Sequence, residues 1–393
     1  MRACHVRTDT LFMSERRSTC GHGQRSDACP NLEQAGMIAA PFLLSPYYKS
    51  CIWGGNSLAR LYGKRADIPQ LGETWECSVH PSGQSTVASG CFTGRLLGDV
   101  LSEYPSLLGK ENELPILIKL IDAQSDLSVQ VHPDDAYAIS REEQHGKTEM
   151  WYILEAQPGA QLVLGFDRPL TRQLVREAAE RGGLGRYLRY VPVKRGDAFL
   201  IEPGTVHAIG GGIVLAEIQQ SSDVTYRLWD YGRKEKDGKL RPLHIDSALD
   251  VAVLDGRAIK PLYRHPACSG ITEICKTQYF CVTRIEAKTA AVADGTEYSG
   301  TLLPTEENSA SVLLCIDGSG ELRAERDNDR NAGSCSGFDS RDSISFAAAI
   351  GADDTYQAPH SALSFKCGDC IFVPAGNMRL SLTGACVCLR VKF

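Results

Sequence analysis

Gln130 and His132 stand two residues apart in the run Leu127-Ser128-Val129-Gln130-Val131-His132-Pro133-Asp134-Asp135. Side chains alternate between faces along a β-strand, so this amide and imidazole project together while Val129 and Val131 face the other way. An amide oxygen and an imidazole on one rigid face make half of a metal site. Glu149 adds a carboxylate at the start of an apolar run, 149–154, and His207 follows the Pro203-Gly204 turn. Nitrogen and oxygen donors of these types suit Zn²⁺ and leave positions for substrate oxygens. Each residue alone is ordinary, because a lone strand histidine is more often a satisfied core or surface group. Three strand-like segments in this order give the set its weight.

The elements that must hold these residues are marked by period and punctuation. Pro133 has no N–H for a ladder and ends its strand, and Asp134-Asp135 can cap a short helix. A Gly196-Asp197 turn feeds a strand-like run, and Pro203-Gly204 turns the chain again before His207. Residues 114–121 form a near-continuous apolar strand interrupted by Lys119, which needs either a partner or an edge from which to reach solvent. Helical spacing over 96–108 suits packing on the outside of a sheet. Residues 171–190 read as a helix split by Gly182-Gly183, and 246–254 as a helix that closes a first domain. Short strands and turns fill 41–91, including Ile52-Trp53-Gly54-Gly55 and Gly72-Glu73-Thr74-Trp75-Glu76-Cys77. Val79-His80-Pro81 echoes Val131-His132-Pro133 without a glutamine partner, and His80 is read as structural. From 256 onward short β runs return at 271–274, 278–285, 311–316 and 370–373. There Gly368-Asp369 and Pro374-Ala375-Gly376 repeat the punctuation of 196–204, with no histidine after them.

The segments LSVQVHPDD, GKTEMWYIL, GDAFLIEPGTVHAIGGG and LAEIQQSSDVTYRLWDYGR together resemble the type I mannose-6-phosphate isomerases, above all their short bacterial form. The similarity runs from Pro41 to the C-terminus, with 321–359 excepted. It implies a mainly β chain of two cupin-type jelly-roll barrels with a few helices packed outside, only the first copy keeping ligands. The domains expected are an extension over 1–40, a metal-binding cupin domain with helical insertions over 41–255, and a metal-free cupin domain over 256–393. The resemblance implies one Zn²⁺ per chain on Gln130, His132, Glu149 and His207. Gln130 is the least secure of these, since short relatives often carry another residue there. The implied reaction interconverts mannose 6-phosphate and fructose 6-phosphate by proton transfer through an enediol(ate) that the metal stabilises. Arg227 is placed as the active-site arginine, able to hold the enediolate or the phosphate. Glu217 is the first candidate for the proton-shuttling carboxylate. Lys119 is its competitor, since a lysine close to Zn²⁺ has its ammonium form disfavoured. Ser128 and Lys147 match positions that would grip the sugar phosphate, and Trp53 and Glu73 are expected as pocket wall.

Composition bounds the rest. A chain of 393 residues is too long for one small core and fits two or three domains. With a net charge of −6 and no Lys/Arg cluster there is no reason to expect nucleic acid. An anionic sugar phosphate must therefore meet a local basic pocket. No apolar run reaches the length of a membrane span, and no segment points to an obligate protein partner. The first forty residues lack the apolar core of a signal peptide, and Asp9, Glu15, Asp27 and Glu33 argue against a transit peptide. They are expected to be a disordered extension without chemistry, as if from a start upstream of Met37. Fifteen scattered cysteines, an odd number, fit reduced thiols in a cytoplasmic protein better than a disulfide framework. Cys367, Cys370, Cys386 and Cys388 invite comparison with a second zinc site, but buried small hydrophobes explain them better. Residues 321–359, rich in Asp, Arg, Ser, Gly and Ala, read as a long surface loop.

Two other functions compete. Two histidines and one carboxylate also form the facial triad of a cupin Fe(II) oxygenase. Such an enzyme needs no lysine–arginine phosphate grip, and Gln130 would crowd its open positions. A non-catalytic cupin that only binds a sugar phosphate is disfavoured by the presence of every motif residue.

Overall fold

Strands outnumber helices among the described residues, and several buried strands carry polar side chains. The structure, a computed structural model, describes residues 40–65, 67–234, 238–263, 270–288, 300–304, 308–326 and 362–393. Six strands form an antiparallel sheet in the order Ala198–Ile201, Glu149–Ala156, Ile213–Gln220, Ile116–Ala123, Leu71–Cys77 and Tyr47–Gly55. Every residue of Ile116–Ala123 and of Ile213–Gln220 is buried. Coverage on both faces at the centre of the sheet explains why these segments read as nearly continuous apolar runs.

A second antiparallel sheet has five strands: Tyr226–Trp229, Val129–Val131, His207–Ile209, Gln161–Phe166 and Leu188–Pro192. The two sheets share a core of Trp53, Ile121, Trp151, Phe199 and Leu215 from the first and Leu162, Leu164 and Ile209 from the second. Full burial of one such side chain is worth roughly 1.5–3 kcal/mol. Behind the five-stranded sheet, Val129, Val131, Val163 and Leu228 pack with Val175 and Ala178 of the helix Arg172–Glu180 and Leu249 of the helix Ile245–Val251. Burial of Val129 and Val131 against these helices turns Gln130 toward the other sheet.

The remaining strands form a nine-stranded sheet. Its main path runs Gly270–Lys276, Cys281–Ala287, Met378–Lys392, Ser311–Arg326 and Cys370–Val373, and the N-terminal strands Phe42–Ser45 and Thr86–Val87 extend it. Cys315, Cys386 and Cys388 fill a core there with Leu313, Leu322, Phe365, Ile371 and Leu380.

Three elements differ from the reading of the sequence. The segment 171–190 is helical over Arg172–Glu180, followed by a 3-10 turn over Leu184–Tyr187. Leu188–Pro192 is then an edge strand paired with Gln161–Phe166, so sheet pairing overrides helical spacing beyond the glycine pair. The segment 96–108 is a helix over Leu97–Glu103 and a separate 3-10 turn from Pro105, because a residue preceding proline is pushed out of the helical region. Residues 321–326 continue the strand Ser311–Arg326 and pair with 378–383, so these six are not part of the polar loop expected over 321–359. Ladder pairing outweighs polar composition there. Residues 327–361 and the expected extension over 1–39 lie outside the described residues.

Candidate metal centre

Glu149 begins its strand opposite Ile201 on one side and Gln219 on the other, and His207 pairs with Gln130 across the second sheet. His132 sits one residue past the strand Val129–Val131. His132, Glu149 and His207 are all buried, and their candidate ligand atoms lie within 4.8 Å of one another. His132 Nε2 is 3.6 Å from Glu149 Oε2, and His207 Nε2 is 3.3 Å from Glu149 Oε1. Each ring is anchored at its far nitrogen: Nδ1 of His132 lies 2.7 Å from the Val224 carbonyl, and Nδ1 of His207 2.9 Å from that of Thr205. A carbonyl can only accept, so both rings carry their proton on Nδ1 and present a lone pair at Nε2. The Gln130 amide approaches His207 Nε2 at 3.3 Å. Rotating that amide by half a turn exchanges nitrogen for oxygen, so Gln130 is within reach as a fourth donor.

Among the described residues Lys147 Nζ lies 3.2 Å from His132 Nε2, and Glu149 is the ligand left without an aligned partner. Both Glu149 oxygens are buried without a well-aligned hydrogen bond, although Lys147 Nζ comes within 2.6 Å of Oε2. Burial, with the charge of Glu217 added, pushes the Glu149 carboxyl upward. Burial, helped by the Lys147 ammonium, holds the imidazoles down, His207 to about 4 and His132 well below its ordinary range. Neutral lone pairs and a carboxylate turned toward one another in a dry site are costly unless a cation stands among them. These residues fit a small divalent ion of the zinc type.

Glu217 lies beside this cluster. It faces Lys119 and Trp151 across the two neighbouring ladders. Its Oε2 accepts the Trp151 indole N–H at 2.9 Å, while Oε1 lies 3.2 Å from Lys119 Nζ and 3.7 Å from Lys147 Nζ. Burial opposes its charge, yet the two ammonium groups hold the carboxyl well below the usual range. Lys119 is central and buried, not at an edge, and has its partners in Glu217 and, at 3.9 Å, Glu73. Burial works against its ammonium too, but those carboxylates raise its pKa. A cleft of about 300 Å³ gathers Trp53, Glu73, Lys119, Ser128, Gln130, Lys147, Glu217 and Arg227 on its walls. Gln130 and Lys147 connect it to the three buried ligands.

Comparison with known proteins gives the family. The model of the phosphomannose isomerase type I catalytic domain matches residues 42–159. The mannose-6-phosphate isomerase of Streptococcus mutans is 40% identical over 232 residues, which is 58% of this chain and 72% of that protein. The chain belongs to the type I phosphomannose isomerase family. Mannose-6-phosphate isomerase ManA of Bacillus subtilis, another relative, is 39% identical over 251 residues, 63% of this chain and 79% of that one. The crystal structure of the mannose 6-phosphate isomerase from Bacillus subtilis matches with a TM-score of 0.73 and 27% identity, covering 90% of this chain and 100% of the other. A putative mannosephosphate isomerase from Archaeoglobus fulgidus has the same fold, at a TM-score of 0.66 and 20% identity over 90% of this chain and 98% of its own.

Within this phosphomannose isomerase fold Gln130, His132, Glu149, His207, Arg227, Glu217, Lys119, Ser128, Lys147, Trp53 and Glu73 lie in the ligand cluster or on the cleft wall. The structure adds Lys49, Asp223, Thr225 and Arg241 to the cleft wall. Lys49 is paired with Glu73 across the ladder, with Nζ 3.5 Å from Glu73 Oε2 and over the Trp75 ring. Arg241 comes from a loop and lies 3.5 Å from Asp230. Neither carries a local signal, because strand register and loop path bring them in. The role of Trp151 was visible in principle, since strand period puts it on the face of Glu149. Arg227 donates from Nη1 to the Pro242 carbonyl at 2.9 Å, which places its guanidinium at the cleft wall.

Proposed function

We propose that this phosphomannose isomerase homologue interconverts mannose 6-phosphate and fructose 6-phosphate. One Zn²⁺ is held by His132, Glu149 and His207, with Gln130 as the fourth donor. The observation that carries this is the convergence of three buried ligands, with both Glu149 oxygens lacking an aligned hydrogen bond, beside a carboxylate braced between two lysines. When bound, the cation stabilises negative charge on substrate oxygens as the carbonyl moves from C1 to C2. Glu217 is the group that takes the carbon-bound proton and returns it to the neighbouring carbon. It is ionised at neutral pH and so able to accept a proton, while the two ammonium groups that hold its pKa down also make it a weaker base. Lys119 fits the complementary role, since its raised pKa keeps it an ammonium that can stabilise the enediolate oxygen. This favours Glu217 over Lys119 as the base. Lys49, Arg227 and Arg241 on the cleft wall, with the Ser128 hydroxyl, suit a phosphate dianion in a chain that is otherwise net negative. A reducing, cytoplasmic setting belongs to the same reading, because buried cysteines such as Cys370, Cys386 and Cys388 serve as core.

The test is a coupled isomerisation assay on chelator-stripped and zinc-reconstituted protein. Zinc is expected to restore mannose 6-phosphate turnover. Iron-dependent oxygen uptake without isomerisation would instead identify a cupin oxygenase. Tight sugar-phosphate binding by zinc-loaded protein without turnover would identify a binding protein.

A further inference from the structure

Lys147 touches three groups at once: its ammonium lies 2.6 Å from Glu149 Oε2, 3.2 Å from His132 Nε2 and 3.7 Å from Glu217 Oε1. Yet it belongs to no helix or strand, since 143–148 join the helix Asp135–Glu142 to the strand Glu149–Ala156. A loop residue serves chemistry only if its surroundings hold it to a fraction of an ångström. One bond comes from the main chain, where Lys147 N donates to the Pro133 carbonyl at 3.0 Å. Gln220 N donates to the Thr148 carbonyl at 3.1 Å and Ser222 Oγ to the His145 carbonyl at 2.8 Å, and three further bonds converge on one carboxylate. Asp135 Oδ1 accepts from Gly146 N at 2.8 Å and from Gln220 Nε2 at 3.0 Å, and Oδ2 accepts from the Tyr279 hydroxyl at 2.7 Å. Gln220 Oε1 in turn accepts from Thr148 N at 2.8 Å.

The peptide groups on both sides of Lys147 are therefore fastened by one relay, directly to Gly146 and through Gln220 to Thr148. Gly146 makes the close approach possible, because a Cβ there would stand 2.4 Å from the Asp134 carbonyl carbon and from Asp135 N. Gln220 ends the strand Ile213–Gln220 that carries Glu217, so the same relay sets Lys147 against Glu217. Tyr279 belongs to the turn between Gly270–Lys276 and Cys281–Ala287. Thr277 Oγ1 holds that turn by accepting from Tyr279 N at 3.1 Å and Phe280 N at 3.0 Å. Asp134, one residue earlier, caps the helix by accepting from Tyr137 N, which leaves Asp135 for the relay.

We propose that Asp135 is a positioning residue for Lys147, and that Tyr279, from the turn between Gly270–Lys276 and Cys281–Ala287, holds Asp135 in place. The proposal rests on the isomerase reading for its activity arm only. In zinc-loaded full-length protein, Asp135→Ala is expected to lower kcat about 10- to 100-fold, with KM and zinc content within about twofold. Amide hydrogen exchange at Gly146, Lys147 and Thr148 is expected to rise at least tenfold, as expected for a loosened loop. Asp135→Asn is expected to recover most of both, since its Oδ1 keeps both acceptor bonds and its Nδ2 can donate to the Tyr279 oxygen. Tyr279→Phe removes one hydroxyl and is expected to cost about two- to fivefold in kcat, with a smaller rise in exchange at the same amides. Unchanged kcat and exchange in Asp135→Ala overturn the proposal. So does an Asp135→Asn variant as slow as Asp135→Ala, or a loss of zinc in step with activity. If Asp135→Ala does not fold, the same two readouts on Tyr279→Phe decide. Wild-type protein that fails to turn over mannose 6-phosphate overturns the isomerase reading alone, and the exchange comparison still tests the relay.

Discussion

His132 and His207 enter the site with their tautomers already set by the Val224 and Thr205 carbonyls, so their Nε2 lone pairs need no rearrangement to take a cation. His207→Ala is accordingly expected to lose zinc and turnover together. Arg227→Ala is expected to keep its zinc and lose turnover roughly 100-fold or more, as for removal of a group that stabilises developing charge. Zinc content of the purified variants is the discriminating measurement, and equal metal loss in both would make the separate roles untenable. Glu217→Gln, nearly isosteric, is expected to retain zinc while kcat drops by about two to four orders of magnitude, the range for a lost general base. A variant that stays within tenfold of wild type would move that role elsewhere. Cys51 makes a different case. Its thiol lies 3.8 Å from Glu73 Oε1, and burial together with that carboxylate pushes it up to about 12. The thiolate is the reactive form, so iodoacetamide at about pH 8 should spare Cys51, label the exposed Cys91 and leave activity intact. Peptide mass spectrometry showing Cys51 modified before Cys91 would contradict this.

At the scale of elements, two sheets pressed face to face hold the ligands, and their contact is the place to disturb the site from a distance. Ile153 is fully buried in that core, opposite Leu215 in the ladder and four residues along the strand from Glu149. Ile153→Ala is expected to destabilise the protein by about 2–5 kcal/mol through lost contacts and a cavity. Denaturant unfolding of the metal-free protein measures this, and a change under about 1 kcal/mol would mean that the sheets relax to fill the gap. The same architecture explains what could be read in advance. Gln130, His132, Glu149 and His207 were legible because strand period and Pro/Gly punctuation are local, and each local signal points inward. Lys119 was ambiguous because a strand does not announce whether it is central or at an edge. The ladders to Leu71–Cys77 and Ile213–Gln220 settle that, and those ladders are long-range facts. Lys49 and Arg241 were not legible for the same reason. The strand Phe42–Ser45 pairs with Cys370–Val373 near the other end of the chain, and no property of its four residues names that partner. Composition misled once, where the polar residues 321–326 extend a strand because its neighbour 378–383 offers a complete ladder.

For the whole molecule, the buried ligands make folding answer to metal and to pH together. Zinc that binds only the folded state stabilises it by mass action, so chelation is expected to lower Tm. The sign of the pH effect follows from the direction of each shift. In the metal-free protein His207 is held down to about 4 and His132 well below its ordinary range, against about 6.5 in the unfolded chain. Between these values the unfolded chain binds more protons, so the contribution is complete above about 6.5 and is lost as pH falls toward about 4. Glu149 runs the other way. Burial and the Glu217 charge raise its carboxyl, so the folded state keeps a proton that the unfolded chain releases above about 4.3. Two imidazoles against one carboxylate leave stability rising with pH, by at most about 1.4 kcal/mol per pH unit for each unbalanced proton. His207→Gln deletes one of the two imidazoles and leaves Glu149 in place. The Tm of metal-free His207→Gln minus that of metal-free wild type is therefore expected to grow as the buffer goes from about pH 7 to about pH 5. Zinc-loaded wild type should be steeper over the same range, since ligation also keeps the proton off Glu149 while the unfolded chain still takes protons on both imidazoles. Calorimetric melts of chelator-treated and zinc-loaded protein give both slopes. A metal-free difference that does not change with pH would mean that His207 reaches water and is not part of a dry cation site.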